Sequence, residues 1–214
     1  MTGDVTKQGA TPRRGRPALS EDALQQRREE ITTVALHLFI QEGFASVSMR
    51  RLGKEVGLTP MALYRYFPSK MEILSTIWAH ILGAAFKEVD SAATGVQTPV
   101  DRLRSASHSY VDYWFRNIDH YHLVFMSSGV SKKDVTSFVS RESVIDAYEI
   151  FFNTVASGLE LPRCHERVKI ATDGLICQLH GIMHSLITMQ GVEWTPRGQL
   201  VDLAVDSVVG HIDR

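Results

Sequence analysis

Apolar residues recur along this chain at helical spacing, with no run that alternates in the manner of a strand. Ile31, Val34, Ala35, Leu38 and Phe39 repeat at i, i+3, i+4, i+7 and i+8, which predicts a helix over 20–41. Ser20 supplies its cap, Glu21 and Asp22 suit the positive end of its dipole, and Gly43 ends it. A second helix starts at Ser48, with Leu52 and Val56 facing inward, and stops at Gly57, where a left-handed backbone can reverse the chain. Leu58 then plugs the corner, and Thr59-Pro60, a capping hydroxyl followed by proline, opens a third helix to 67 that buries Leu63 and Phe67. Ser69-Lys70-Met71-Glu72 has the form of a capping box and opens a fourth helix over 69–93. Past a small-residue break at 92–99, further helices are predicted over 99–117, 119–127, 133–159 and 162–190, and from Thr195-Pro196 to about 211. The fold class is therefore all-α.

Two short helices joined by a glycine turn over 48–67 have the layout of a helix-turn-helix. The second helix turns an aromatic and basic face outward. Its N-terminal end carries Thr59, Pro60, Met61 and Ala62, small or flexible side chains that let the helix approach base edges in a major groove. Tyr64, Arg65, Tyr66 and Lys70 are suited to phosphate oxygens on the rim, Lys70 because it stands at a helix N-terminus, and Ser48 and Arg50 complete the expected DNA-facing set. Ahead of this lies 1–19, rich in Gly, Thr, Pro and basic residues, which predicts a flexible arm. Within it, Arg16 of Arg13-Arg14-Gly15-Arg16-Pro17 is the arginine best placed to reach a minor groove or phosphate.

The residues from Ala35 to Trp78 resemble the N-terminal domain of the TetR family of transcriptional repressors. The resemblance is carried by Ala35, Leu38-Phe39, Gly43-Phe44, Ser48-Met49-Arg50, Gly57-Leu58-Thr59, Leu63-Tyr64-Arg65-Tyr66-Phe67 and Ser69-Lys70, and it extends over 27–87. Tyr66 stands where many members have histidine, and Arg65 where others differ. The resemblance implies a supporting first helix, a recognition helix over 59–67, and a fourth helix linking DNA binding to a larger regulatory domain. The expected organisation is a basic arm over 1–19, a DNA-binding domain of three helices over 20–87, and a helical ligand-binding and dimerisation domain over 88–214. His120-Tyr121-His122-Leu123-Val124-Phe125-Met126 and Leu179-His180-Gly181-Ile182 resemble a regulatory-domain subtype of the same family.

Composition agrees with this division. The 214 residues carry a net charge of −1, yet 1–70 hold 11 Lys+Arg against 7 Asp+Glu, and 71–214 hold 12 against 17. A basic front meets DNA and an acidic remainder is repelled by it. The beginning is polar and no apolar run has membrane-spanning length, so the expected location is the cytoplasm, with no membrane partner. Cys164 and Cys177, thirteen apart in helical patterning, are expected to stay reduced. The chain has no phosphate-cradling glycine loop, nucleophile elbow or diagnostic carboxylate pair, which argues against an enzyme, and no cofactor is implied.

Partners follow from the later helices. Ile170, Leu175, Ile176, Leu179, Ile182, Met183, Leu186 and Ile187 make 162–190 apolar on more than one side, and Leu200, Leu203, Ala204, Val208 and Ile212 do likewise for the last helix. The family pairs two such helices across a twofold axis, which implies a homodimer on a palindromic double-stranded DNA operator. An effector pocket is expected among Tyr110, Tyr113, Trp114, Tyr121, Phe125, Met126, Phe151, Phe152, His180 and Met183, holding a small, apolar or aromatic molecule. Cys177, His180 and His184 fall within two turns of one helix and form a metal candidate, with Cys164, His165, His120 and His122 as further ligands; a histidine of the core or interface is the competing reading. The expected function is a repressor released by its effector. The alternatives are a metal-responsive regulator and a constitutive architectural DNA-binding protein.

Overall fold

The computed structural model describes residues 20–139 and 148–210. The basic arm with Arg16, the end of the last helix with Ile212, and 140–147 of the expected helix over 133–159 lie outside the described residues. Among those described, every regular element is a helix: α1 Glu21–Glu42, α2 Met49–Glu55, α3 Pro60–Tyr64, α4 Lys70–Ala93, α5 Pro99–Arg116, α6 Ile118–Phe125, α7 Lys132–Val139, α8 Glu149–Leu159, α9 Glu166–Thr188 and α10 Arg197–Val209.

The first four helices start where a side-chain oxygen can accept from the otherwise unpartnered N–H groups of a first turn. Ser20 accepts from Ala23 N (3.3 Å), Ser48 from Arg51 N (3.1 Å), Thr59 from Ala62 N (3.2 Å) and Ser69 from Glu72 N (3.0 Å). Gly43 and Gly57, at φ 80° and 68°, make the chain reversals after α1 and α2. A third glycine does different work. Gly53 lies buried inside α2, its carbonyl accepts from Leu58 N at 2.8 Å, and a Cβ there would stand 2.7 Å from the Leu58 carbonyl oxygen. The corner between α2 and α3 can close only because that side chain is missing. Leu52, Leu63 and Phe67 are wholly buried beneath it.

Three basic residues tie these helices together through backbone oxygens. Arg28 donates to Tyr66 O, with its guanidinium 4.2 Å from the centre of the Phe67 ring, and Arg27 donates to Val56 O at 2.7 Å. Lys70, expected on a DNA phosphate, turns inward instead. Its ammonium donates to Phe44 O (2.5 Å) and Val47 O (2.7 Å), lies 3.4 Å from Ala45 O, and sits 4.2 Å from the centre of the Phe44 ring. Partial burial lowers its pKa. The carbonyls left open where the chain turns from α1 to α2 accept from this ammonium, so Lys70 fastens the start of α4 to that turn.

Helix α4 runs on from this tie and buries Ile73, Leu74, Ile77, Trp78, Ile81, Leu82, Ala85, Phe86, Val89 and Ala93 along one stripe. Its first part packs with α1, and its later part lies along α5, which also packs against α8, α9 and α10. Tyr113 Oη donates to Ile81 O (3.2 Å), Trp78 Nε1 to Leu123 O (2.9 Å) and Ser105 Oγ to Ala92 O (2.7 Å), fixing α4 to α5 and α6. Three expected boundaries move. The helix expected over 133–159 is described as α7 and α8 on either side of 140–147. The helix expected from 162 begins only at Glu166, because Glu160 adopts a left-handed φ of 52° and His165, whose ring accepts from Arg167 N, is the cap. Pro196, expected as the first helical residue after a Thr195 cap, is itself the cap position of α10 and makes no side-chain cap bond. Helix α3 also ends early, at Tyr64, in a tightened turn through Arg65 N to Ala62 O and Tyr66 N to Leu63 O.

Three measurements check this account. Gly53→Ala should lower stability by about 1–3 kcal/mol through the forced clash, read from denaturant unfolding; an unchanged midpoint contradicts the close approach. Lys70→Met should cost about 2–3 kcal/mol, since charge-assisted bonds are lost and carbonyls left open; a loss seen only in DNA affinity, at full stability, would restore the phosphate role. His180 is pushed down to about 4 by burial, from an ordinary 6.5. The unfolded state therefore holds more protons between those values, so stability falls as pH drops through the window, by at most about 1.4 kcal/mol per pH unit. His180→Gln should flatten that slope in unfolding curves collected across it, and an equal slope in both proteins refutes the assignment.

Candidate functional site

The surface presented by the helix-turn-helix is set by what its own core consumes. With Leu63 and Phe67 inward, α3 turns Thr59, Pro60, Met61, Tyr64 and Arg65 to solvent, while Ala62 and Tyr66 are half-buried. Met61 is 77 % exposed, a large apolar side chain at the leading end of a short helix, and Tyr64 is 48 % exposed. Ser48 and Thr59 accept backbone N–H groups and keep their own O–H donors for other use. Arg50, Lys54 and Arg65 are exposed and form no ion pair with an acidic side chain among the described residues. Arg51 differs: its guanidinium is held between Glu42 (2.8 Å) and Glu55 (2.5 Å). Of the residues expected on this face, the structure thus groups Ser48, Arg50, Thr59, Pro60, Met61, Ala62, Tyr64, Arg65 and Tyr66 around α2 and α3, and withdraws Lys70.

A second feature lies inside the larger helical part. A half-open cavity of about 400 Å³ is lined by Trp78 and Leu82 of α4, Val124 and Phe125 of α6, Val135, Phe138 and Val139 of α7, Tyr148 and Phe152 at the start of α8, and Ile176 of α9, with Phe125, Val135 and Val139 partly open to solvent. Of the ten pocket candidates only Phe125 and Phe152 line it. Tyr110, Tyr113, Trp114, Tyr121, Phe151 and Met183 are 0–4 % exposed and fill the core, packed ring against ring around Tyr110 and Trp114. Met126 is 45 % exposed and borders a different cleft, beside Phe39 and Gly43. His180 stands behind the cavity rather than in its wall. Sequence reasoning missed Trp78, because it belongs to the helix assigned to linking, and Val135, Phe138 and Val139, whose i, i+3, i+4 spacing was the available signal.

Polar chemistry in this core forms one chain. Tyr148 Oη lies 3.2 Å from Tyr110 Oη, which lies 3.0 Å from His180 Nε2. Burial drives the Tyr110 phenol well above its ordinary pKa, raises that of Tyr148, and keeps His180 neutral at pH 7. His184 Nδ1 is 3.4 Å from Tyr121 Oη, and Cys177 is exposed. Cys177, His180 and His184 do not converge with a further ligand, and among the described residues no three His, Cys, Asp or Glu side chains gather around one point. No helix among them is long and apolar enough to cross a membrane.

Helices α9 and α10 leave part of their apolar surface bare. Leu175, Leu179, Met183 and Ile187 of α9 and Val201, Ala204, Val205 and Val208 of α10 are buried, whereas Ile170 and Leu203 are 64 % and 66 % exposed. Gln178 Nε2 donates to Ser207 Oγ at 3.1 Å and joins the two helices.

Residues 31–77 match the model of the bacterial regulatory proteins of the tetR family, a family of DNA-binding regulators and not of enzymes. The chain is 28 % identical over 102 residues to the nucleoid occlusion factor SlmA of Haemophilus influenzae strain PittGG, covering 47 % of each protein. It is 27 % identical over 149 residues to the transcriptional activator FasR of Mycolicibacterium smegmatis, covering 64 % of each. The chain thus spans about half the length of the first of these curated relatives and less than two thirds of the second. A TetR/AcrR-family transcriptional regulator from Thermobifida fusca YX-ER1 superposes with a TM-score of 0.59 at 22 % identity, over 86 % of this chain and 97 % of that one, which is a likeness of fold. Residues 31–77, with the helix-turn-helix at their centre, are the part of the chain that matches the tetR family of bacterial regulatory proteins.

Proposed function

We propose that this chain is a cytoplasmic transcriptional repressor that binds a palindromic operator as a homodimer and is released by a small apolar or aromatic effector. The observation that carries the reading is α3. Its leading end shows Thr59, Pro60 and Met61 to solvent beside the exposed cations Arg50 and Arg65, on a corner held rigid by Gly53 and Lys70. In this reading Thr59, Pro60, Met61 and Ala62 face base edges, while Ser48, Arg50, Tyr64, Arg65 and Tyr66 position the helix on phosphates. Arg16 reaches beyond them from the arm over 1–19, the DNA-binding domain occupies 20–87, and 88–214 form the regulatory domain. The bare Ile170 and Leu203 support pairing of α9 and α10 with those of a second copy, which would set two recognition helices on one operator.

Release follows by linkage. An effector in the cavity touches α4 directly at Trp78 and Leu82, on the same helix that Lys70 fastens to the helix-turn-helix. A ligand that favours one setting of α4 lowers DNA affinity by as much as it prefers that setting. The metal-responsive alternative lacks a gathered ligand set among the described residues. A constitutive architectural protein would leave an apolar cavity without a use, whereas the effector reading employs it.

The test selects a duplex from random sequence and measures affinity by fluorescence anisotropy. Arg65→Ala should weaken binding about equally for all duplexes and reduce the salt slope by about 1, and Met61→Ala or Thr59→Ala should change which bases are preferred. Loss of the gene should raise transcription from the operator-bearing promoter. Base preference unchanged in both recognition-helix variants would overturn the assignment of α3, and expression that falls would make the protein an activator.

A further inference from the structure

We propose that the cavity takes an uncharged, largely aromatic or aliphatic molecule carrying one hydroxyl or carbonyl group, and that the Tyr148 hydroxyl, backed by Tyr110 and His180, is the residue that selects it. This rests on the reading of the cavity as an effector site and names the chemistry of the effector.

Charge finds no partner on the described walls. Among the described residues, no Asp, Glu, Lys, Arg or His lines the cavity, and its walls are Trp, Phe, Leu, Val, Ile and Tyr. A carboxylate, phosphate or ammonium seated against these walls would shed part of its water with no counter-charge from the described residues in return, a penalty that only excellent pairing offsets. Shape comes second. The volume of about 400 Å³ lies toward the small end of ligand pockets, and the edge-to-face pair of Trp78 and Phe138, ring centres 5.1 Å apart, presents aromatic surface suited to a flat apolar body.

Polar selectivity comes from counting protons. Only two described lining residues carry a polar side-chain atom, and the single N–H of Trp78 is already committed to Leu123 O. That leaves Tyr148, whose hydroxyl offers one donor and two acceptor positions and uses one of the three on Tyr110. Tyr110 has one proton for two neighbours, so the chain has a direction. If His180 Nε2 is bare it accepts from Tyr110, Tyr110 accepts from Tyr148, and the Tyr148 oxygen offers lone pairs to a ligand hydroxyl. If Nε2 carries the proton, every bond reverses and Tyr148 donates to a ligand carbonyl. A neutral imidazole has both tautomers available, and the low pKa of His180 keeps it neutral at physiological pH. One relay thus serves either partner and never supplies a net charge. His180 and Tyr110 are positioning residues here, and of the three only Tyr148 touches the ligand.

Three probes of one shape separate the possibilities: naphthalene, 2-naphthol and 2-naphthoate, titrated against the full chain at pH 7.5 by calorimetry and tryptophan fluorescence. The expected order places 2-naphthol about 3–10-fold tighter than naphthalene, the worth of one neutral hydrogen bond, with 2-naphthoate weaker than both. Tyr148→Phe should bind naphthalene as the parent does and lose the advantage of the naphthol. Tighter binding of the naphthoate, no binding of any probe at millimolar concentration, or a naphthol advantage that survives Tyr148→Phe each overturns the proposal. The order of affinities in the parent protein tests it even if the variant fails to fold. Adding operator DNA separates the two readings: probes that bind in the expected order without changing operator affinity contradict the effector role alone, and release by the naphthoate in preference to the naphthol contradicts the ligand class alone.

Discussion

A single apolar stripe on α4 has to be satisfied twice. Near its start it lies against α1 under the helix-turn-helix, and two turns on it meets α5 and α6, so neither packing can be adjusted without reference to the other. The hydrogen bonds along α4 show how closely its position is specified: Lys70 is held by the turn after α1, Trp78 by the end of α6, Ile81 by Tyr113 and Ala92 by Ser105. Packed interiors are near crystal density and respond to displacement by switching rather than by yielding. A rod gripped in this way passes a shift at one end to the other.

Interior and surface divide the chemistry sensibly around that rod. Arg27, Arg28 and Lys70 spend their charge on backbone oxygens of the helix-turn-helix, and Arg51 on Glu42 and Glu55, which leaves the outward face to Arg50, Lys54 and Arg65. Inside, the aromatic rings between α5, α6, α8 and α9 fill space except beside Trp78, where the cavity opens onto α4 itself. The polar chain from Tyr148 to His180 ends on α9, whose neighbouring surface includes the bare Ile170.

Local signals were legible in the sequence and long-range ones were not. Ser20, Ser48, Thr59 and Ser69 cap as expected because a cap is decided within three residues. Leu63 and Phe67 are buried because their spacing leaves no other face for them. The inward turn of Lys70 was not legible, since a helix N-terminus says that charge is near, not which carbonyls stand within its reach. Gly53 gave no warning, its requirement arising from the oxygen of Leu58 one turn of chain away. The lining of the cavity was not legible for a related reason: aromatic residues at helical spacing identify what is buried, and the geometry of five helices decides which of them borders empty space. Trp78 was hidden by its address on a helix with another duty, and the turn at 160–165 by a left-handed glutamate that no rule of composition favours.

The central claim is spatial, that the leading end of α3 lies in a major groove, and tethered cleavage measures it most directly. With Cys164 and Cys177 replaced by serine and a single cysteine placed at Met61, an iron chelate attached there cuts whatever backbone lies within reach. The account predicts cuts confined to the operator, in two clusters whose centres are about 10–10.5 base pairs or a multiple apart. Cleavage no stronger than from the same chelate placed at Trp194, or spread evenly along any duplex, would contradict it.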